Sequence, residues 1–143
     1  MSKKQEDQAI DVLGAVDIFS GLDRDHLEMI RQASRQHTFQ TGEAIVDEGG
    51  ADKRLYVLLS GYAEVTIGGA SVAMLGPGRY VGEIAVFDGG DRTASVIATS
   101  PVEAISVNSI NLKALLKENP TMAIKLIEAL CGRVRALGNS PTQ

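Results

Sequence analysis

The residues best suited to chemistry lie in one stretch, residues 80–98, where a glycine, a carboxylate and an arginine are spaced for anion binding. Gly82 and the helical turn that begins at Glu83 predict backbone N–H groups that face a phosphate, because glycine has no β-carbon and the first N–H groups of a turn lack partners within it. After the loop 88–91, Arg92 would lie opposite this turn and pair with the same phosphate. The stretch therefore predicts a site for a phosphate.

Neighbouring side chains indicate which kind of phosphate ligand the predicted site would bind. The carboxylate of Glu83 would repel the phosphate unless it faced another group, and a ribose hydroxyl is a suitable donor for it. Ala85 leaves the approach to the turn open. Alternate strand residues face opposite sides, so Arg92 and Thr93 can reach one ligand only if Arg92 lies on the turn before the strand 93–98. A sugar hydroxyl beside a phosphate indicates a nucleotide.

Most of these residues also have an explanation that needs no ligand. Gly82 and residues 89–90 can be simple turn formers, and Glu83 can be a capping carboxylate. Arg92 is harder to explain in this way, because burying an unpaired cation is strongly unfavourable. It must therefore bind an anion or pair with an acid such as Asp91 or Glu83.

Composition limits the functions that the chain can have. Its 143 residues, 44% hydrophobic and 22% charged, are ordinary for one globular domain, and the net charge of −4 argues against a nucleic-acid-binding domain, which usually carries a basic surface. The single cysteine, Cys131, excludes an internal disulfide. The N-terminus has no secretory apolar core, and no apolar run approaches the ~18 residues that a membrane span needs. We therefore expect a cytoplasmic protein.

Between residues 37 and 107, short apolar or alternating runs are separated by glycines, which predicts an all-β sandwich or jelly roll. The predicted strands include 54–59, 62–67, 71–75 and 102–107. The region has no repeated His and Glu ligands for a catalytic metal, no nucleophile beside a base and no Gly-Lys-Ser motif, so it predicts a binding container and not an enzyme. His26 and His37 are predicted to be surface or boundary residues, not metal ligands.

Helical patterns flank the predicted strands. Residues 1–7 are polar and expected to fray, whereas Asp23 is placed to cap a helix whose buried side includes Leu27. After residue 107, Asn108 or Ser109 caps one helix and Asn119 the next. The last helix carries apolar residues spaced four, three, four and three apart, and this seam can pack on the barrel or pair two subunits: Ala123, Ile127, Leu130, Val134 and Leu137.

Residues 82–86 followed by 92–96 closely resemble the phosphate-binding cassette of cyclic nucleotide-binding domains of the catabolite-activator and protein-kinase-A regulatory-subunit type. Further landmarks stand in the family's order at 17–22, 41–46, 55–61 and 75–78, so the resemblance covers roughly residues 15 to 138. One departure is Asp91, which stands where many members have a proline before the arginine.

The resemblance implies a single domain over residues 1–143 that is mainly β with flanking helices. The expected fold is an eight-stranded β-roll of the jelly-roll, or double-stranded β-helix, type. An N-terminal helical segment would occupy residues 1–36, the roll 37–107 with its cassette at 82–94, and two C-terminal helices 108–138.

The resemblance also implies the ligand, cAMP or cGMP, with no metal. Gly82 and Glu83 would hold the ribose, the Ala85 amide and Arg92 the cyclic phosphate, and Thr93 a second phosphate oxygen or the guanine amino group. Candidate walls of the base and sugar pocket are Val57, Leu59, Val72, Leu75 and Ile84. The last helix would cover the base as a lid through Leu130, Arg133 or Val134.

The expected function is a switch in which nucleotide binding changes the arrangement of the helices and an unknown protein effector responds. A homodimer through the last helix is consistent with this, and no membrane contact is expected. Two alternatives remain: a scaffold of the same fold that binds proteins and no nucleotide, or the sensor half of a transcription regulator. No helix-turn-helix follows the last helix before Gln143, so we expect no DNA binding by these residues.

Overall fold

Eight strands form two four-stranded antiparallel sheets in the computed structural model, which describes residues 2–51, 53–82, 87, 90 and 92–138. One sheet has the order β1-β8-β3-β6 and the other β2-β7-β4-β5. The predicted eight-stranded β-roll with flanking helices is confirmed. The strands are β1 (Arg35–Phe39), β2 (Ala44–Val46), β3 (Arg54–Ser60), β4 (Ala63–Ile67), β5 (Ala70–Leu75), β6 (Tyr80–Val81), β7 (Ser95–Ala98) and β8 (Val102–Asn108).

The connection between β3 and β4 moves the chain from one sheet to the other. Gly61 makes this corner with a φ of 86°, a left-handed conformation that favours glycine. A β-carbon there would lie 2.1 Å from the carbonyl oxygen of Pro101, so the corner also requires a residue without a side chain. The predicted tight connection is present, and it joins the two layers of the roll.

Helices cover the outer face of the β1-β8-β3-β6 sheet. They are α1 (Lys3–Ala15), a 3₁₀ turn (Asp17–Phe19), α2 (Arg24–Ala33), α3 (Ser109–Glu118) and α4 (Pro120–Gly138). We call the apolar cluster between the helices and the sheet the helix-side core; it includes Leu13, Phe19, Ile30, Leu55, Val57, Ile105, Val107, Leu112 and Leu126. The apolar faces of the helices and the outward residues of β3 and β8 thus bury one another.

A second apolar cluster fills the roll between its two sheets. It takes Tyr56 and Leu58 from β3, Val102 and Ala104 from β8, and residues of the opposite sheet such as Leu75. Side chains alternate along a strand, so neighbouring residues of β3 serve different clusters. We call this cluster the roll interior.

The helix termini agree with the sequence signals at most positions. Asp23 accepts from the His26 backbone N–H at 2.9 Å, and Asn108 accepts from that of Asn111 at 2.7 Å, so both predicted caps are confirmed. At Asn119 the prediction is wrong in detail, because its side-chain amide donates to the Leu115 carbonyl and serves the end of α3.

Two expectations about boundaries need correction. Residues 2–7 are not frayed: Ser2 and Gln5 form a capping box at the start of α1, which satisfies two backbone donors at once. The roll begins at Arg35, two residues before the predicted position 37, because Arg35 already pairs with Ser106 of β8. Within the described ranges, no helix has the length and apolar character to cross a membrane.

Candidate nucleotide-binding site

The predicted site begins where β6 leaves its sheet. Among the described residues, β6 pairs with β3 through two residue pairs, Tyr56 with Val81 and Val57 with Tyr80. The next residue, Gly82, has a φ of 95°, a left-handed conformation that favours glycine. The backbone of β3 at Arg54 therefore lies beyond its last pair with β6.

The guanidinium of Arg92 occupies this position. The residue is only 5% exposed, and its Nη2 donates to the backbone carbonyl of Arg54. A β-carbon on Gly82 would lie 2.0 Å from Arg92 Nη1, which is far closer than any contact allows. The Arg92 guanidinium thus fills the space beside Gly82 that was predicted to admit the ligand.

Backbone hydrogen bonds hold the Arg92 main chain on a loop. The Gly49 N–H donates to the Arg92 carbonyl at 2.8 Å, and the Arg92 N–H donates to the Gly50 carbonyl at 3.1 Å. β7 begins only at Ser95, two residues later than predicted, so Arg92 precedes the regular strand and Thr93 is exposed beside it. The geometric condition that Arg92 should lie on the turn is met.

Two further cations lie near Arg92. Lys53 Nζ donates to the Gly90 carbonyl at 2.5 Å, in the loop that leads to Arg92. Arg54 follows Lys53 and supplies the carbonyl that holds Arg92. The segments that contact Arg92 and the loop before it thus carry two further positive residues, which favours an anionic ligand.

A polar cluster in the roll was not predicted. Ser106 Oγ lies 2.7 Å from His37 Nε2 and 3.2 Å from Arg54 Nη1. The His37 ring also contacts the rings of Phe39 and Tyr56, at centroid distances of 5.9 and 5.4 Å. His37 is therefore a half-buried member of a hydrogen-bonded group, not simply a surface residue.

The predicted pocket walls divide between two environments. Leu75 lies in the roll interior, on the side expected for a ligand. Val57 is a correction, because its side chain faces the opposite side of the sheet and packs in the helix-side core; Leu59 packs there too. Val72 is exposed. The predicted contacts of Glu83, Ile84 and Ala85 lie outside the described residues.

The three predicted lid residues have different surroundings in α4. Leu130 packs against the helix-side core, and Val134 is exposed. The Arg133 guanidinium lies 5.4 Å from the centre of the Tyr80 ring, within the range of a cation–π contact. The Tyr80 hydroxyl donates to the Asp17 carboxylate at 2.5 Å. α4 therefore contacts the short strand that leads into Gly82.

The outer side of α4 carries exposed apolar residues. Ile124, Ile127, Val134 and Leu137 are between 56% and 68% exposed, and Cys131 is exposed among them. The spacing 124, 127, 131, 134 follows a heptad, shifted from the predicted seam, whose members Ala123 and Leu130 are partly buried. The part of the chain that the structure describes holds no group of three or more potential metal ligands.

Comparison with known proteins settles the family. The family model described as a cyclic nucleotide-binding domain matches residues 36–119, which include β3, Gly82 and Arg92. The chain belongs to the cyclic nucleotide-binding domain family.

Relatives of the domain occur in proteins with different outputs. The CRP-like cAMP-activated global transcriptional regulator of Mycobacterium tuberculosis is 26% identical over 137 residues, which are 91% of this chain and 60% of the regulator. The potassium/sodium hyperpolarization-activated cyclic nucleotide-gated channel 3 of Mus musculus is 30% identical over 121 residues, 85% of this chain and 16% of the channel. The chain thus spans less than two thirds of the length of these relatives.

A solved structure matches almost the whole domain. The N-terminal domain of a transcriptional regulator from Streptomyces coelicolor A3(2) superposes with a TM-score of 0.84 at 27% identity, over 91% of this chain and 96% of that one. The arrangement of helices and strands described above is therefore shared with that solved domain.

Proposed function

We propose that this domain binds cAMP, in preference to cGMP, and acts as a ligand-driven conformational switch without catalytic activity. The observation that carries the proposal is the buried Arg92 guanidinium, seated on Gly82 and the Arg54 carbonyl at the start of the cassette. A permanently charged fork in a largely buried position matches the oxygens of a cyclic phosphate. The name of the cAMP-activated relative supports cAMP as the nucleotide.

The remaining contacts follow from the cassette. Arg92 and the Ala85 amide would hold the cyclic phosphate, with Thr93 on a second oxygen, while Gly82 and Glu83 would hold the ribose 2′-hydroxyl. Ile84 and Leu75 would contact the sugar and base. cGMP is the competing ligand, since the Thr93 hydroxyl can accept a hydrogen bond from the guanine amino group.

Titration calorimetry with cAMP and cGMP tests the proposal directly. Arg92→Ala should weaken cAMP binding by one to two orders of magnitude, because a charge-assisted hydrogen bond contributes about 1.5 to 3 kcal/mol. Arg135→Ala, which removes an exposed arginine in the last turn of α4, is the matched control and should leave affinity unchanged. A parent protein that binds neither nucleotide would leave the alternative of a protein-binding scaffold.

The ribose contact has its own test. A 2′-deoxy cyclic nucleotide should bind the parent more weakly than cAMP by about fivefold or more, the value of a hydrogen bond of about 1 kcal/mol or above. Glu83→Ala should abolish this difference between the two nucleotides. Equal losses for the deoxy ligand in parent and variant would refute the assignment of Glu83.

The exposed apolar side of α4 supports a homodimer. A helix face with apolar residues at heptad spacing can pair with the same face of another copy, so a second chain can cover Ile124, Ile127 and Val134 in a two-stranded seam. The Cys131 residues of two parallel helices would then face each other at one position of the seam, and mild oxidation should give a disulfide-linked dimer. Ile127→Lys should prevent both the cross-link and dimer sedimentation; an unchanged dimer would place the interface elsewhere.

We also infer that α4 passes the signal onward. It contacts β6 through Arg133 and Tyr80, next to the proposed site, and it carries the proposed dimer face. Hydrogen exchange of α4 should therefore change when cAMP binds. Protection that changes only in the cassette would show that the output leaves the domain by another route.

A further inference from the structure

Ser106 is an unusual residue for its position in β8. It is 1% exposed, and in the described part of the chain it is, with Arg92, one of two buried polar or charged residues. Its neighbours in β8, Ile105 and Val107, are core residues. A buried hydroxyl is unfavourable unless hydrogen bonds replace those that it makes with water. The contacts of Ser106 therefore point to its role.

Ser106 joins three adjacent strands of one sheet. β8 lies between β1 and β3, and Ser106 is paired with Arg35 on one side and Tyr56 on the other. Its hydroxyl reaches His37 Nε2 on β1 at 2.7 Å and Arg54 Nη1 on β3 at 3.2 Å. One oxygen atom thus connects a residue on each neighbouring strand.

Arg54 extends this connection to the proposed anion site. Its side chain donates to Ser106, and its backbone carbonyl accepts from Arg92 Nη2. Because Arg54 is the first residue of β3 and lies beyond the last pair with β6, the β8 pairing and the side-chain bond to Ser106 hold it in place. Arg54 thus links the Ser106 hydroxyl, through its side chain, to the Arg92 guanidinium, through its backbone carbonyl.

The directions of the hydrogen bonds agree with this arrangement. A guanidinium only donates, so Ser106 Oγ accepts from Arg54, and the hydroxyl proton can be donated to a neutral His37 Nε2. The rings of Phe39 and Tyr56 and the charge of Arg54 face His37 from β1 and β3. In the His37 tautomer whose Nε2 carries no proton, the Ser106 hydroxyl would donate to His37 and its oxygen would accept from Arg54.

We propose that Ser106 is a positioning residue of the nucleotide site: it anchors the Arg54 side chain so that the Arg54 carbonyl holds the Arg92 guanidinium in its binding orientation. Only the affinity arm of the test below rests on the proposed function. The other arm observes Arg92 without nucleotide.

The first arm uses side-chain ¹H–¹⁵N NMR of the arginines in the protein without nucleotide. In the parent, the Arg92 side-chain signal should be sharp and slow to exchange, because the group is buried and hydrogen-bonded. Ser106→Ala, and Arg54→Met, which keeps the carbonyl but removes the donor, should both broaden or abolish it. Ser100→Ala is the matched control: its hydroxyl likewise accepts a hydrogen bond, here from the Tyr62 backbone N–H at 2.9 Å, and the Arg92 signal should persist.

The second arm measures cAMP affinity by calorimetry. Ser106→Ala and Arg54→Met should each lower it about fivefold, as expected from one hydrogen bond. In an Arg92→Ala background, Ser106→Ala should cause no further loss, because its effect passes through Arg92. If Ser106 had a purely structural role, Ser106→Ala would lower thermal stability equally in the parent and in Arg92→Ala, and its effect on cAMP affinity would not depend on Arg92.

The two arms separate the possible failures. If the parent binds neither nucleotide, the proposed function is wrong, and the Arg92 signal alone decides the role of Ser106. An unchanged Arg92 signal in folded Ser106→Ala or Arg54→Met would overturn the positioning role, as would an affinity loss that persists in the Arg92→Ala background. If Ser106→Ala does not fold, Arg54→Met provides the same test.

Discussion

The two faces of the β1-β8-β3-β6 sheet have different compositions. The outer face packs against the helices through apolar side chains such as Leu55, Val57 and Ile105. The inner face begins in the same way, with Leu58 and Ala104, and then becomes polar towards Gly82. There it carries His37, Arg54 and Ser106, with Arg92 at its end.

Because of this difference, neighbouring residues of one strand contribute either to the stability of the fold or to the proposed site. Apolar burial is non-directional and supplies most of the folding free energy, whereas buried polar groups are tolerated only with matched partners. In β3, Leu55 serves the helix-side core and its neighbour Arg54 serves the proposed site. We therefore expect changes on the outer face to alter stability and changes near the polar end of the inner face to alter affinity.

The largest effect is expected in the helix-side core. Phe19 is 1% exposed, and Phe19→Ala should lower the free energy of unfolding by about 3–5 kcal/mol, because it removes a buried ring and leaves a cavity. Urea unfolding measures this change. The cAMP affinity of the folded fraction should change much less than in Arg92→Ala; a comparable loss at full folding would mean that the helix-side core forms part of the site.

Gly82→Ala should have the largest effect on the inner face. The new β-carbon would overlap Arg92 Nη1 and displace the guanidinium, so cAMP affinity should fall at least as much as in Arg92→Ala. Gly42 has a similar φ of 91° but nothing within 4 Å, so Gly42→Ala carries the backbone strain of about 1–2 kcal/mol without the clash. Calorimetry should show a loss in the first variant only; equal losses in both would assign the effect to strain.

Tyr80→Phe tests the contact between the helices and β6, the short strand that leads into Gly82. Its ring lies under Arg133 and its hydroxyl donates to Asp17, so the variant keeps the cation–π contact and loses one hydrogen bond to a carboxylate. Stability should fall by about 1.5 kcal/mol. Thermal unfolding gives the change. A cAMP affinity that also shifts would show that the outer face communicates with the site through β6.

The smallest effect is expected outside both faces. Gly132 lies in the exposed part of α4 with nothing within 4 Å of its β-carbon position, so Gly132→Ala should raise stability by about 0.5–1 kcal/mol through helix propensity. Urea unfolding of the monomeric Ile127→Lys background measures it without dimerisation. A decrease in stability would show that α4 is bent or packed at this position.

Local signals in the sequence predicted much of the fold. Glycines between short apolar runs predicted the strands, and Asp23 and Asn108 predicted two helix starts, because these effects depend on a few adjacent residues. The capping box of Ser2 and Gln5 was also present in the sequence, but the polar composition of residues 1–7 favoured a frayed end.

The orientation of side chains in β3 could not be predicted. Residues 55–59 are all apolar, since this strand is covered on both faces, and such a run has no alternation that would separate Val57 from Tyr56. The same limit applies to Ser106, whose partners lie 69 and 52 residues away in sequence. The proposed binding role of Arg92 could be inferred from the sequence because it rests on a contiguous motif, but the contact of Arg92 with the Arg54 carbonyl depends on strand pairing.

The bond between Tyr80 and Asp17 also gives the protein an optical probe. The chain has three tyrosines and no tryptophan, so phenol emission is not masked by indole. A carboxylate that accepts a hydrogen bond from the phenol quenches that emission, and Tyr80 stands two residues before Gly82 on a two-residue strand. An increase in tyrosine fluorescence on addition of nucleotide, absent in Tyr80→Phe, would therefore report movement at the entrance of the cassette without any attached dye.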